Sequence, residues 1–450
     1  MTSRGAVREY VKGSLWVWPG ISAVAALLVG FAVSQINVSE DSALAPLAFQ
    51  GTADDARSLL IIIAGTVVTV IALVLGLTVV ALQLSSTQFS PRLLRKFLRD
   101  RANQAVLSVF VATFVYSTAG LYTVGLAAGG RTEQFPRLAI SGAIVLLFAS
   151  MAMVVYFADH LAHAIQVDAI GARVEKDTLA LLPSLRAGEK GTGECPPAWA
   201  VALLTSRSGY LQSVDPEEIL PIARQHQLTV RLRLRVGEHV VAGTVLGWAW
   251  SPAPEIPIPD AATLQPVLNQ AVRIGFERTL EQDPALGIRQ LVDMACKGLS
   301  PAVNDPYTAV QAVDHLSVIF CAMAVRPWGD TITGDHERPA LLIVPGRRFG
   351  DYLSTMCGLI RRYGSAEPTV SLALLRLLEN CAAVLPDNSP RWADLDDQAD
   401  LILADATREI AQPADLLAVS AATAELRART RQAGRRSRTN DKEDPPAART

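Results

Sequence analysis

Apolar residues gather in four uninterrupted runs near the start of the chain, at 15–33, 59–84, 102–128 and 138–158. None of these runs contains Asp, Glu, Lys, Arg or His. A soluble helix of such length shows a polar face, and these show none. At ~1.5 Å per residue, each run is long enough to cross a hydrocarbon layer of ~30 Å. The pattern predicts a four-span transmembrane domain over 1–168. The first run is too long for the apolar stretch of a signal peptide and has no small-residue cleavage site where one is needed. It reads as a retained first span.

After residue 168 the pattern becomes that of a soluble protein. A linker helix is expected to continue from the fourth run, through His160, His163, Gln166 and Arg173, to about Leu182. Residues 208–215 and 228–235 alternate as strands do, the second with its arginines on one face. The stretch 236–248, VGEHVVAGTVLGW, places Gly237 and Gly243 around a valine pair and resembles the half-motif of barrel-sandwich domains. It lacks the modifiable lysine of carrier domains, so a structural β module is expected within 169–263. Helical periodicity dominates 264–427, with segments at 264–282, 284–299, 306–325, 350–363, 370–385 and 393–410 and one strand at 340–344. Two helix starts are written as Asp283-Pro284 and Asp305-Pro306, where Asp caps free N–H groups and Pro fits the first turn. The polar, arginine-rich segment 428–450 reads as a disordered tail. The expected fold is therefore a membrane α-helical domain with four transmembrane helices. To it is joined a cytoplasmic α+β region, with a small barrel-sandwich-like β module and a mainly helical domain.

Composition adds exclusions. The net charge is −2, which gives no electrostatic footprint for nucleic acid. The five cysteines all follow the apolar runs and form no CxxC pair, which fits reduced thiols in a cytoplasmic region. Basic residues Arg4, Arg8 and Lys12 precede the first run, and Arg92, Arg95, Lys96, Arg99 and Arg101 lie between the second and third. The loop between the first two runs is acidic. The positive-inside rule then predicts an inner-membrane protein with both termini cytoplasmic.

Candidate chemistry is sparse. The second run carries Thr66, Thr69, Gly76 and Gln83 at near-heptad spacing. Such a stripe either lets helices approach and hydrogen-bond or lines a narrow uncharged pore between symmetric copies. The third run repeats the theme with Thr113, Ser117, Thr118 and Gly120. Residues 91–101 form an amphipathic pattern with Arg92, Arg95, Lys96 and Arg99 on its polar side, suited to anionic lipid headgroups. It reads as a topology anchor or as a gating element. His160 and His163 read as an interfacial cap rather than metal ligands. The densest polar block contains Glu277, Arg278, Glu281, Arg289, Asp293, Asn304 and Asp305. It is either a ligand pocket or a set of caps and ion pairs. No Walker A loop, GxSxG elbow, HExxH or zinc-like spacing is present. No catalytic residue, metal or cofactor is therefore assigned.

The runs 82–100 (LQLSSTQFSPRLLRKFLRD) and 278–308 (RTLEQDPALGIRQLVDMACKGLSPAVNDPYT), with 111–116, resemble the bacterial predicted membrane proteins called domain of unknown function 2254. The resemblance covers nearly the whole chain, from Ser14 to about Leu385. It implies a membrane protein and carries no catalytic residues with it. The expectation that follows is an oligomeric channel-like membrane protein with a cytoplasmic regulatory region. The alternative is a membrane-anchored ligand-binding or scaffold protein.

Overall fold

The structure, a computed structural model, describes residues 16–36, 45–88, 101–128, 136–164, 166–185, 195–335 and 340–443. The chain divides into two compact units, Met1–Ala169 and Ile170–Thr450.

Among the described residues the first unit holds four long helices, α1 (Val17–Ser34), α2 (Ala53–Gln88), α3 (Arg101–Ala128) and α4 (Arg137–Ala164). They coincide with the four apolar runs and extend beyond most of them. Their packing is inverted relative to a soluble bundle. Leu28, Phe31, Ile62, Val145, Phe148 and Val155 are exposed, whereas Asn103, Gln104, Thr113, Ser117 and Ser150 are buried. Water does not favour such an outer surface, and hydrocarbon does. Inside, small residues admit close approach. A Cβ at Gly142 would collide with the Tyr116 hydroxyl, and one at Gly120 would press on Leu60. The Thr113 and Ser150 hydroxyls hydrogen-bond across α3 and α4 at 2.9 Å.

The second unit opens within α5 (Val167–Leu181), so the expected single helix from 138 to 182 is divided near Gln166. It then builds β1 (Val201–Leu204), β2 (Gly209–Val214), α6 (Pro216–His226), β3 (Thr229–Leu232), β4 (His239–Val240) and β5 (Val245–Trp250). After these come α7 (Ala261–Ala271), β6 (Val272–Gly275), α8 (Pro284–Gly298) and α9 (Pro306–Ala324). The hairpin β7 (Thr331–Asp335) and β8 (Ala340–Val344) precedes α10 (Phe349–Gly364), α11 (Pro368–Val384), α12 (Trp392–Glu409) and α13 (Pro413–Glu443).

The β region is wider than the expected barrel-sandwich-like module. One mixed sheet has the order β1-β5-β3-β8-β7, and a second has the order β4-β2-β6. Strand β8 runs parallel to β3, with Val230 opposite Leu342, so the late hairpin completes a sheet begun a hundred residues earlier. Leu228, Val230 and Leu232 face the core while Arg231 and Arg233 face outward, as the alternation predicts. The expected helix 264–282 ends at Ala271, because Val272–Gly275 pairs with β2 as β6.

The tail expectation is corrected in part: α13 continues as helix to Glu443. Among the described residues, five helices are long and apolar enough to cross a membrane, against the four that the apolar runs predict. The fifth is α9, whose Ala312, Val313, Leu316, Ile319 and Phe320 are buried within the second unit. It also carries Asp314, paired with Arg376 at 2.6 Å, and His315, paired with Glu175 at 2.7 Å.

Phe320 is fully buried and stacks edge-on with Phe349, at 5.9 Å between ring centroids. Phe320→Ala is expected to lower the unfolding free energy by about 3–5 kcal/mol. Denaturant unfolding of the full chain in detergent, with m unchanged, checks this.

Candidate functional site

Residues from several distant stretches meet around a cavity of about 170 Å³ in the second unit. Its walls include Ser184 and Leu185, just after α5, and Arg235 and Val236, after β3. Gln282 and Asp283 come from the start of α8, Trp328 from the end of α9, and Arg347 and Tyr352 from the start of α10. Each of these helix starts is fixed locally. Pro284 opens α8, and the Asp351 carboxylate accepts from the Arg348 N–H at 3.0 Å at the start of α10. Gln282 is clamped to the backbone of Val214, donating at 3.1 Å and accepting at 3.0 Å. Gly237 turns with φ 88°, and any side chain there would strike the Asp283 carboxylate.

Asp283 is 3% exposed and accepts two hydrogen bonds from Arg278, at 2.6 and 2.8 Å. It was expected as the cap of α8. Its side chain serves the ion pair instead, and its carbonyl accepts from the Leu286 N–H at 3.1 Å. Burial lifts its carboxyl above the ordinary value, against the pull of Arg278 and Arg347. Tyr352, 7% exposed, is held well above the usual tyrosine range by burial and by Asp283, so its proton stays on. Trp328 meets the Tyr352 ring edge-on at 5.2 Å and donates its indole N–H to the Met323 carbonyl at 2.7 Å. A nearby carboxylate, Asp330, is occupied by Arg231 at 3.1 Å and by the Gly346 N–H at 3.1 Å. Arg235 and Arg347 form no ion pair among the described residues.

The polar block read from sequence is divided by this geometry. Arg278 reaches the cavity through Asp283. The Glu277 carbonyl accepts from Gln212, and Glu281 pairs with Arg273 at 3.1 Å. Arg289 and Asp293 pair one helical turn apart on α8, at 2.7 Å. Asn304, with φ 49°, makes the turn into α9, which Asp305 caps by accepting from Thr308. α8 rises about 21 Å between its ends, so Asn304 and Asp305 lie a helix length from Arg278. Arg235, Arg347, Trp328 and Tyr352 were not singled out by sequence reasoning. The outward alternation of the 228–235 strand was the one signal for Arg235.

In the first unit, Thr66, Thr69, Gly76 and Gln83 occupy the exposed side of α2, opposite the buried Leu60, Ile63, Val67 and Val74. The Thr69 hydroxyl donates to the Gly65 carbonyl at 3.1 Å. Thr113 and Ser117 of the third run are buried instead. Arg92, Arg95, Lys96 and Arg99 lie outside the described residues. His163 turns to Asp159, and no group of three metal-ligating side chains gathers among the described residues.

A family profile described as predicted membrane protein (DUF2254) matches residues 12–380. The chain belongs to this family. Uncharacterized proteins of Mycobacterium bovis and Mycobacterium tuberculosis are 42% identical over 431 residues, covering 94% of this chain and 82% of each relative. No solved structure matches the chain. The family resemblance read from the sequence is thereby shown, and the protein is a membrane protein.

Because Asp283 binds its proton more readily when folded than unfolded, the stability it lends is present below its ordinary value of 3.8. That stability is lost as pH rises through the folded value. Asp283→Asn removes this loss. Thermal melts from about pH 4 to 7 are expected to show a shallower decline for the variant than for the natural chain, and a steeper decline would contradict the assignment.

Proposed function

We propose that this protein is a multi-pass inner-membrane protein whose C-terminal unit binds a small ligand and reports its presence to the membrane-embedded unit. The observation that carries this reading is the cavity. It gathers Asp283, Arg235, Arg347 and Tyr352 in one place, and Ser184 and Leu185 form part of its wall. Those two residues end the segment that begins with α5, and α5 starts three residues after α4 ends. A change at the cavity wall therefore has a covalent route through α5 to α4.

Under this reading α1 to α4 span the membrane and α9 belongs to the C-terminal unit. The paired Asp314 and His315 on α9 and its buried apolar side support that division. Both termini are cytoplasmic, and Arg92, Arg95, Lys96 and Arg99 meet anionic headgroups.

A second reading, an oligomeric permeation pathway, is favoured by the outward position of Thr66, Thr69, Gly76 and Gln83 on α2. Small and polar groups on a lipid-facing side let helices of neighbouring copies approach closely. The two readings are compatible, since a ligand-bound C-terminal unit can regulate a pathway between subunits.

Two measurements check them. A thermal-shift screen of central metabolites on the full chain in nanodiscs is expected to yield at least one stabilising compound. Thr333→Trp, which fills the cavity, abolishes the shift without lowering the starting melting temperature. A screen with no stabiliser refutes the ligand reading. In liposomes, solute flux that changes on Thr69→Leu or Gln83→Leu supports the pathway. Silent membranes across voltage, tension and pH exclude it.

A further inference from the structure

The ligand class follows from what surrounds the cavity, taking as given the reading above that the cavity is a binding site. Arg278 neutralises Asp283, and Arg231 neutralises Asp330. Arg235 and Arg347 line the same cavity with no ion pair among the described residues. Among the described residues, two of these four guanidinium groups are therefore paired and two are not. One further carboxylate, Glu238, stands beside Arg235 and accepts from its backbone N–H at 3.1 Å, so the local balance is an excess of one guanidinium charge. The first turn of α8, opening at Pro284 on the cavity wall, adds the positive end of a helix of 15 residues. Tyr352 keeps its proton, and its hydroxyl makes no hydrogen bond among the described residues. The same lining includes the aromatic and aliphatic side chains of Trp328, Val236 and Val344.

We propose that the cavity is an oxyanion site for a small ring-bearing phosphate or carboxylate. Arg235 and Arg347 hold the oxyanion, Tyr352 donates to it, and the ring lies against Trp328. Guanidinium groups suit such anions because their forked N–H donors match two oxygens at once. The size agrees: an engineered cavity of ~150 Å³ holds one benzene, and this one is about 170 Å³. A ring therefore fits with its charged group at the arginines. A neutral ring of the same size leaves both guanidinium groups without a partner.

The test is calorimetric titration of the full chain in nanodiscs of zwitterionic lipid, so that lipid headgroups do not compete. The probes are phenyl phosphate, benzoate, inorganic phosphate and benzyl alcohol. Phenyl phosphate or benzoate is expected to bind at least about tenfold more tightly than benzyl alcohol. The preference between the two identifies the oxyanion. Arg347→Gln and Arg235→Gln each weaken that binding about tenfold or more, and Arg347→Lys restores part of it. Salt also weakens it in the unaltered chain, a readout that needs no variant to fold. Inorganic phosphate binding alone, without gain from the ring, overturns the ring-bearing part. Equal binding of benzyl alcohol, insensitive to both arginine variants, overturns the oxyanion assignment and leaves the cavity as a ligand site. Silence from all four probes overturns the assignment as well, and the metabolite screen on the same nanodiscs then decides the broader reading separately.

Discussion

The first unit rests on one constraint: a helix in hydrocarbon must satisfy its own polar groups and offer apolar side chains outward. That constraint explains why its exterior carries Leu28, Phe31 and Phe148, while Thr113 and Ser150 bond each other inside. It also explains why glycine recurs at helix contacts. Without a hydrophobic drive between helices, association depends on close fit, and Gly120 and Gly142 supply the space for Leu60 and Tyr116. The second unit follows the opposite rule. Its core is built from large apolar side chains such as Phe320, Leu342 and Leu374, all fully buried, and several of its charges are paired, as Arg231 is with Asp330 and Arg278 with Asp283.

Different parts of this architecture were legible in the sequence to different degrees, for physical reasons. The apolar helices were legible because length and lack of charge are local properties. So were α8 and α9, whose starts are announced by Asp-Pro pairs. Strand β6 was not, since Val272–Gly275 continues the helical spacing of α7 without a break. Only pairing with β2, some sixty residues earlier, makes it a strand. The same holds for β7 and β8, which complete a sheet nucleated far upstream.

The candidate cavity was the least legible feature. Arg235, Asp283 and Arg347 stand 48 and 64 residues apart, and no local motif relates them. Sequence density drew attention to residues 277–305, where many polar side chains are close along the chain. In space they separate, because α8 carries its two ends apart. Asp283 itself was read as a cap, and its environment turned it into an ion pair: a helix start that lies in a buried place draws a cation from the adjoining turn. The polar residues of α2 were legible as a stripe. Their position on the outer side is a property of packing alone.

The unequal lengths of the first-unit helices carry a mechanical consequence. α1 has 18 residues and α2 has 36, so they rise about 27 Å and 54 Å. A bilayer of uniform thickness matches the shorter one and is overshot by the longer, which must lean or project into the headgroup layer. Leaning would place the two helices under opposing demands whenever membrane thickness changes. Under the proposed reading, in which both helices span the membrane, the lipid mixture is a physical input to this protein's shape, acting on α2 far more than on α1.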